Sequence, residues 1–354
     1  MIMFRLLFSL GLLSLLLSAQ PVIFHNSQAS TGFSEPISSD DKISIALISA
    51  PKIIGKYSQS AYNVSLATLM SRLNTHYRLK HYEIEDESSG SLNEALTSAR
   101  QDGMNAIIAP LTLSGAKNLA AIDTSLPIFI PTVHKRDLPS ASDNITCGAI
   151  DYRAQIEALL PYMSDSIAIF YDNSAVGNQL KADTEEVFLA HKSEKKRVSS
   201  YAVDTKGDNI VTHLSKPSAF SKKSIILHIP VVKSAILTAH MTFTRIKERN
   251  ILSTQINMDP TLLTLTQYQD RKNMILANSL IEFPPAIYES NMLMNNDISF
   301  DWINYTTSVG IDYLISLLNH SDREYTMRII NSQVIYPIEL VHPKEFGFEP
   351  LTSR

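Results

Sequence analysis

Hydroxyl side chains and free backbone N–H groups stand together just after one apolar run of the sequence. The run 105–109 is followed by Thr112, Ser114 and Gly115. The apolar spacing over 116–122 predicts a helix that begins at this point. The first N–H groups of a helix have no partner inside the helix, and the helix dipole favours negative charge there. The chemistry that these residues predict is hydrogen bonding to a polar or anionic group.

The same pattern recurs after other apolar runs and defines a candidate ligand-binding set. In an α/β protein, the carboxyl ends of parallel strands gather such residues around one opening. Lysine suits an anionic ligand, although it is also an ordinary surface residue. Two roles stay open for Ser114 and can coexist, because its hydroxyl can cap its own helix or donate to a ligand. The set consists of Lys56, Tyr57, Thr112, Ser114, Thr132, Asp172 and Asn173.

Motifs that would indicate catalysis or a metal centre are absent from the sequence. No stretch matches Gly-x-Ser-x-Gly, a phosphate-binding Walker loop, Gly-x-Gly-x-x-Gly or His-Glu-x-x-His. The closest histidine pair, His76 and His81, falls on a predicted strand with a spacing that points the rings to opposite faces. The single cysteine, Cys147, lies in a strand-like setting that favours a buried, inert thiol. We therefore predict no catalytic residue, no metal site and no cofactor.

Length and charge define the broad class of protein. The chain has 354 residues, of which 44% are hydrophobic, and this is enough for two globular domains. Its formal net charge of −4 argues against a nucleic-acid partner, which needs a concentrated basic patch. The one basic run, 192–197, is typical of a solvated turn between a helix and a strand. The sequence therefore predicts a globular protein that does not bind nucleic acid.

The N-terminus has the pattern of a secretory signal peptide. Arg5 supplies a positive charge, and the residues 6–17 that follow are almost wholly apolar. Small residues come next, so cleavage is predicted after Ala19 or Ala29, with an uncleaved anchor as the weaker alternative. The segment 1–29 is assigned to the signal peptide and the start of a linker, and 30–41 to a polar linker. The expected location is the periplasm.

Strand patterns alternate with helix patterns over the rest of the chain. Strands that alternate with helices predict parallel sheets with right-handed crossovers. The pattern restarts after the fourth strand, so we expect an α/β protein with two doubly wound parallel-sheet lobes joined by a hinge. A helix over 302–318, with breaks near Gly310, and a hairpin around 331–333 end the chain. The predicted strands are 43–48, 77–84, 104–109, 127–130, 166–171, 198–203, 224–229, 251–256 and 274–277.

Several stretches, taken in order, resemble type I periplasmic binding proteins. The resemblance rests on KISIALISAPKIIGKYSQS, NAIIAPLTLSGAKNLAA, SIAIFYDNSAVGNQLKADTEEVF and VGIDYLISLL, the last with Gly310 and Asp312 in place. It implies a first lobe formed by 42–150 plus 274–320. It implies a second lobe formed by 151–273 plus 321–354, with a ligand-binding cleft between the two.

The sequence also departs from the amino-acid-binding members of that family. Those members have in common an aromatic residue before the glycine of the second-lobe loop. At this place the present chain has Val176 before Gly177. They carry an acidic residue at the start of a later helix, where this chain has Lys233. An α-ammonium group would lose its carboxylate and meet a like charge. The resemblance therefore implies the fold more firmly than amino-acid transport.

The activators of penicillin-binding proteins contain a domain of the same fold. This chain resembles that domain about as well as it resembles the transport proteins. The stretches IIAPLTLSGAKNLAA, LPIFIPT and VGIDYLISLL carry this second resemblance. This chain lacks that group's lipid-attachment cysteine and the helical-repeat extension before Lys42. A domain of this kind contacts another protein and need not bind a solute.

Three functional hypotheses follow. The leading one is an exported, non-enzymatic solute-binding protein that closes on a small molecule and serves an ABC transporter, through a membrane permease, or a sensor. The alternative is a regulatory protein of the cell envelope that binds a protein partner. The weakest is a hydrolase on an α/β scaffold. Polar groups with an aromatic wall in the cleft would favour a solute, and a cleft closed by Leu or Phe would favour a partner.

Overall fold

The computed structural model describes residues 43–72, 76–191 and 196–351. The predicted signal peptide and linker, 1–41, lie outside the described residues. Strands and helices alternate at the beginning, as the sequence predicts. The first run contains β1 (Ile43–Ser49), α1 (Pro51–Ile54), α2 (Lys56–Met70), β2 (Tyr77–Glu83), α3 (Ser89–Gln101), β3 (Ala106–Ile108), α4 (Leu113–Ala120), β4 (Ile128–Ile130) and β5 (Ile145–Cys147).

The alternation restarts after β5 and continues through the middle of the chain. The second run contains α5 (Tyr152–Leu159), β6 (Ser166–Asp172), α6 (Ala175–Ala190), β7 (Arg197–Val203), α7 (Ile210–His213), β8 (Ser224–His228), α8 (Val231–Phe243), β9 (Asn250–Ser253), α9 (Thr261–Leu265), α10 (Tyr268–Arg271) and β10 (Met274–Asn278). The remaining elements are α11 (Pro285–Leu293), α12 (Trp302–Asn319), β11 (Arg328–Ile330), β12 (Gln333–Ile335), β13 (Glu339–Pro343) and β14 (Phe348–Pro350).

The strands form two seven-stranded sheets, one in each lobe. The first sheet has the order β11-β12-β5-β4-β3-β1-β2, and the second has the order β14-β13-β10-β9-β8-β6-β7. Both sheets are parallel except for β11, β13 and β14, which pair antiparallel at or near one edge. Two doubly wound α/β lobes are therefore confirmed.

The central strand β1 is covered by helices on both faces, which explains its continuous apolar sequence. Ile45 and Leu47 face one cluster with α2 and α12, while Ala46 and Ile48 face the other cluster with α3 and α4. A parallel strand that is buried on both faces has no polar side to show. Cys147 on β5 is also fully buried, as the sequence predicts, and burial raises the pKa of its thiol to about 11.

The described part of the chain passes between the lobes three times, each time from the carboxyl end of a parallel strand. It leaves the first lobe after β5 through 148–151, returns after β10 through 279–284, and leaves again after β12 through 336–338. Because these segments are short, the carboxyl edges of the two sheets must face each other. The residues that follow the strands therefore lie at the junction between the lobes.

The lobe boundaries predicted from the sequence are wrong at two places near the C-terminus. The predicted strand 274–277 belongs to the predicted first lobe, but β10, which contains it, pairs with β9 in the second sheet. The terminal hairpin was assigned to the second lobe, but β12 pairs with β5 through Gln333 and Cys147 in the first sheet. An apolar run predicts a strand but does not predict which strand it pairs with, because pairing depends on residues far away in the sequence.

The two features predicted for the last part of the chain have different outcomes. The hairpin exists, and Asn331 and Ser332 both have positive φ in its two-residue turn, which matches the twist of the paired strands. The break near Gly310 does not exist, because α12 is continuous. A side chain at Gly310 would place its Cβ only 2.2 Å from the ring of Phe129, so this glycine permits close packing instead of a kink.

Candidate functional site

The first-lobe helix α4 begins at the carboxyl end of β3, where the sequence predicts a binding site. Its N-cap is Thr112, whose hydroxyl accepts the backbone N–H of Gly115 at 3.3 Å. Ser114 lies exposed in the first turn of the helix. The interpretation of Ser114 as the N-cap is therefore wrong. A cap at Ser114 would require the helix to begin at the next residue, and the helix begins two residues before that.

A carboxylate of the protein already occupies this helix terminus. Glu87, from the loop between β2 and α3, accepts the backbone N–H of Thr112 on Oε1 at 3.0 Å and the Thr112 hydroxyl on Oε2. Asn118 donates to the Glu87 carbonyl at 2.7 Å, and the whole residue is only 6% exposed. Negative charge is stabilised at a helix N-terminus. Glu87 therefore stands where an external anion would bind to α4.

Gly115 is the position that lets Glu87 approach the helix. A Cβ at Gly115 would lie 2.3 Å from Glu87 Oε2 and 2.5 Å from its carboxyl carbon. These distances are far shorter than any normal contact, so a larger residue would push the carboxylate away. The sequence analysis missed Glu87. It is one of several acidic residues in a polar loop, and no local signal shows which of them reaches a helix 25 positions later.

The second-lobe helix α6 begins in the same way at the carboxyl end of β6. Ser174 is its N-cap and accepts the backbone N–H of Gly177 at 3.0 Å. Asp172 accepts the backbone N–H of Ser174 at 3.1 Å and also its hydroxyl. A Cβ at Gly177 would lie 2.2 Å from Asp172 Oδ1. Asp172 is therefore engaged by its own helix start, and the neighbouring Asn173 is exposed.

Thr132 holds two loops of the first lobe together. Its hydroxyl accepts the backbone N–H of Leu111 at 3.1 Å and donates to the Leu111 carbonyl. Both bonds join the loop after β4 to the loop after β3, immediately before Thr112. The predicted residue thus has a structural role, because its donor and one acceptor position are already used inside the protein.

Lys56 and Tyr57 lie where three helices begin, at the junction between the lobes. The Lys56 ammonium is 5.2 Å from the ring centroid of Tyr57 at the start of α2. Asp301 caps α12 by accepting the backbone N–H of Ile303 at 3.0 Å and of Asn304 at 3.2 Å. Burial raises the pKa of the Tyr57 phenol, and the charge of Asp301 raises it further. The three side chains therefore form one partly buried polar cluster.

Aromatic rings from both lobes extend this cluster. Tyr152, the first residue of α5, packs edge-on against Trp302, the first residue of α12, with 6.5 Å between ring centroids. Burial strongly raises the pKa of Tyr152, and its second cause is the neighbouring Tyr57. We call Lys56, Tyr57, Tyr152, Asp301 and Trp302 the junction cluster. Only the first two were predicted from the sequence, because the others follow no predicted strand of their own lobe.

Two hydrogen-bond networks bind the crossover segments. Asp151 caps α5 through the backbone N–H of Ala154 at 3.1 Å and also pairs with Arg136 at 2.9 Å and His134 at 3.4 Å. Burial raises the pKa of Asp151, but the bonds from His134, Arg136 and Ala154 outweigh it and hold that pKa well below its usual range. These contacts tie the loop after β4 to the first helix of the second lobe.

The second network is uncharged and buried. Gln155 donates to the Ser279 hydroxyl at 2.7 Å, and its carbonyl oxygen accepts the backbone N–H of Gln255 at 2.8 Å. The Gln255 side chain in turn accepts the backbone N–H of Ser279 at 2.8 Å. The triangle joins α5, the loop after β9 and the segment after β10, so it positions two of the three crossovers.

The contacts of the seven predicted residues fall into separate groups. Within the described ranges, Lys56 contacts Tyr57, Thr132 bonds to the residue before Thr112, and Asp172 bonds within its own loop. The four cavities described in the structure are lined by other residues. What the fold brings together is the junction cluster, flanked by two helix starts that carry the protein's own carboxylates.

Comparison with known proteins identifies the fold. No helix in the described part of the chain is long and apolar enough to cross a membrane. No family model and no curated protein matches the sequence.

Solved structures match it over most of its length. LivJ, the substrate-binding protein of a branched-chain amino acid transporter from Streptococcus pneumoniae, solved with isoleucine, has a TM-score of 0.61 at 10% identity and covers 87% of this chain and 98% of its own. A branched-chain amino acid ABC transporter protein from Thermus thermophilus with bound valine has a TM-score of 0.63 at 11% identity and covers 88% and 95%.

LpoA from Haemophilus influenzae, a penicillin-binding protein activator, is also similar. It has a TM-score of 0.56 at 8% identity, and the match covers 88% of this chain and 58% of LpoA. Identities this low establish the fold alone. The protein therefore has the two-lobed fold of type I periplasmic binding proteins, which it shares with amino-acid-binding proteins and with LpoA.

Proposed function

We propose that this protein is an exported, non-enzymatic binding protein of the cell envelope that recognises a protein partner and not a free amino acid. The observation that carries the proposal is Glu87 at the start of α4. A carboxylate ligand at this helix start would need the backbone N–H and the hydroxyl of Thr112, which Glu87 already occupies. Displacing such a buried hydrogen-bonded group costs about 1–3 kcal/mol, which lowers affinity roughly five- to a hundredfold.

The second lobe offers no better partner for an amino acid. The residue in the approximate place of the family's acid is Lys233, in the first turn of α8, and a lysine repels an α-ammonium group. Asp172 is the carboxylate at the α6 start, and two hydrogen bonds from Ser174 already hold it. The two charged ends of an amino acid would therefore each meet an unsuitable or occupied group.

A different small molecule is the second candidate, and the junction cluster favours it. Tyr57, Tyr152 and Trp302 supply aromatic surface, and Lys56 supplies an exposed cation beside them. These groups suit a ligand with a flat or apolar body and an anionic group. Such a ligand would support the solute-binding hypothesis, with a permease as its further partner.

Native mass spectrometry of protein released gently from the periplasm separates the two candidates. We expect the protein alone or in complex with another polypeptide, and no thermal stabilisation by isoleucine, leucine or valine. A small-molecule adduct that is lost in Lys56→Ala would favour the solute-binding candidate. Stabilisation by a free amino acid would overturn the argument from Glu87. N-terminal sequencing of the same sample tests export, since a retained Met1 would contradict it.

A further inference from the structure

The outer face of α8 in the second lobe carries an apolar stripe exposed to solvent. Val232, Ile236 and Phe243 are 52%, 44% and 82% exposed, and Ala239 between them is exposed as well. Each residue advances a helix by about 100°, so these positions share one side of α8. Their spacing of four, three and four residues is the one with which helices pack against each other.

The opposite side of α8 is fully used by the fold. Ser234, Ala235, Leu237, Thr238 and Met241 are buried against the second sheet and its neighbours. The exposed stripe therefore does not result from a loosely packed helix. A single exposed apolar residue needs no explanation, but an aligned set on one rigid helix marks an interaction surface.

Positive charge lies beside the C-terminal end of the stripe. The segment 204–249 contains eight Lys and Arg residues against three Asp and Glu, in a chain whose net charge is −4. The loops beside the C-terminal end of α8 pair through their backbones, since Lys222 donates to the Lys247 carbonyl at 2.8 Å and Arg249 to that of Lys223 at 2.7 Å. Arg245 and Lys247 are exposed and make no ion pair within the described ranges.

We propose that this face of α8 docks an acidic amphipathic helix of a partner protein. The partner's apolar residues lie along Val232, Ile236 and Phe243, and its carboxylates pair with Arg245 and Lys247. Charge complementarity decides the occupant. A second copy related by a two-fold axis would present the same face of α8, and this helix contains no acidic residue to pair with Arg245 and Lys247. The inference rests on the proposed function, because it assumes that the partner is a protein.

The test uses a fluorescent synthetic peptide of about 18 residues, roughly five helical turns, with leucine at the matching spacing and glutamate elsewhere. We expect fluorescence anisotropy to show binding that weakens with salt. Phe243→Ser and Lys247→Glu should each weaken it roughly tenfold. The matched control is Leu293→Ser, which removes an 88% exposed leucine from α11, where no basic residue occurs in the helix. A lysine version of the peptide should not bind.

Equal binding of the acidic and lysine peptides, or equal loss in Leu293→Ser, would overturn the proposal. So would binding to phosphatidylglycerol vesicles without binding to the peptide, or a dimer by light scattering that Phe243→Ser dissociates. Circular dichroism of each variant checks that the fold is retained. If native mass spectrometry finds a polypeptide partner that Phe243→Ser and Lys247→Glu leave bound, the docking surface is wrong while the proposed function stands.

Discussion

The N-termini of α4 and α6 each bind a carboxylate of the protein itself, but the two carboxylates come from different places in the chain. Each has a hydroxyl N-cap, a glycine three residues later, and a carboxylate of the protein against that glycine. In the second lobe the carboxylate comes from Asp172, only two residues before its partner Ser174. In the first lobe it comes from Glu87, 25 residues before Thr112.

The difference lies in what each carboxylate connects. Asp172 stabilises a local turn and stays partly exposed to water. Glu87 is buried and joins two separate loops at the edge of the first sheet. The same chemical group is therefore a local helix cap in one lobe and a tertiary contact in the other. Only the tertiary contact links the start of a helix to a loop that lies far away in the sequence.

The largest effect is expected from Glu87→Ala. Removing the carboxylate leaves the backbone N–H and hydroxyl of Thr112 without their acceptor, so the free energy of unfolding should fall by about 1–3 kcal/mol. Urea denaturation measures this loss, and added acetate should restore part of it by occupying the vacated helix start. The control is Glu85→Ala, which removes an exposed pair with Lys52 and should change stability by less than about 1 kcal/mol. Equal losses in the two variants would contradict the role of Glu87.

The two glycines should respond unequally to alanine. Gly177→Ala should lower the free energy of unfolding more than Gly115→Ala does. The Cβ of the new alanine would lie 2.5 Å from the backbone oxygen of Asp172, which cannot move aside. Overpacking of this kind costs about 1–3 kcal/mol. The three nearest atoms at Gly115 all belong to the Glu87 side chain, so Gly115→Ala should cost less in the Glu87→Ala background, although the Cβ at position 87 would still lie 2.8 Å away. A double-mutant cycle measures the coupling, and additive losses would show that the glycine and the carboxylate are independent.

A smaller loss is expected from Asp172→Ala. Its contacts are local and partly exposed, and the removal of a helix-capping interaction typically costs about 0.5–2 kcal/mol. We expect the lower half of this range, and a smaller shift of the thermal midpoint than Glu87→Ala produces. Asn173→Ala, at the exposed next residue, provides the baseline. A loss as large as that of Glu87→Ala would show that Asp172 also holds distant parts of its lobe.

The smallest effect is expected from Ser114→Ala. Thr112 is the N-cap, so Ser114→Ala should leave the free energy of unfolding within about 0.5 kcal/mol of the wild type, as is usual at exposed positions. Thr112→Ala is the matched comparison and should cost about 1 kcal/mol or more. Thermal melts of the two variants side by side decide between them. The reverse order would restore Ser114 as the cap.

The sequence places the predicted site residues after strands but does not give the hydrogen-bond partners of their side chains. Thr132 bonds to Leu111, and Asp172 to Ser174. A side chain's position along the chain follows from local pattern, whereas its hydrogen-bond partner depends on what the fold brings near it.

The sequence by itself determined the α/β class, the two runs of alternating elements and the separation into two lobes. These follow from hydrophobic periodicity and helix-start residues, which act over a few neighbouring positions. The tertiary structure alone decided that β10 joins the second sheet and β12 the first, that Tyr152 meets Trp302, and that Glu87 reaches α4. Each of these contacts joins residues far apart in the sequence, and its free energy exists only once both sheets are formed.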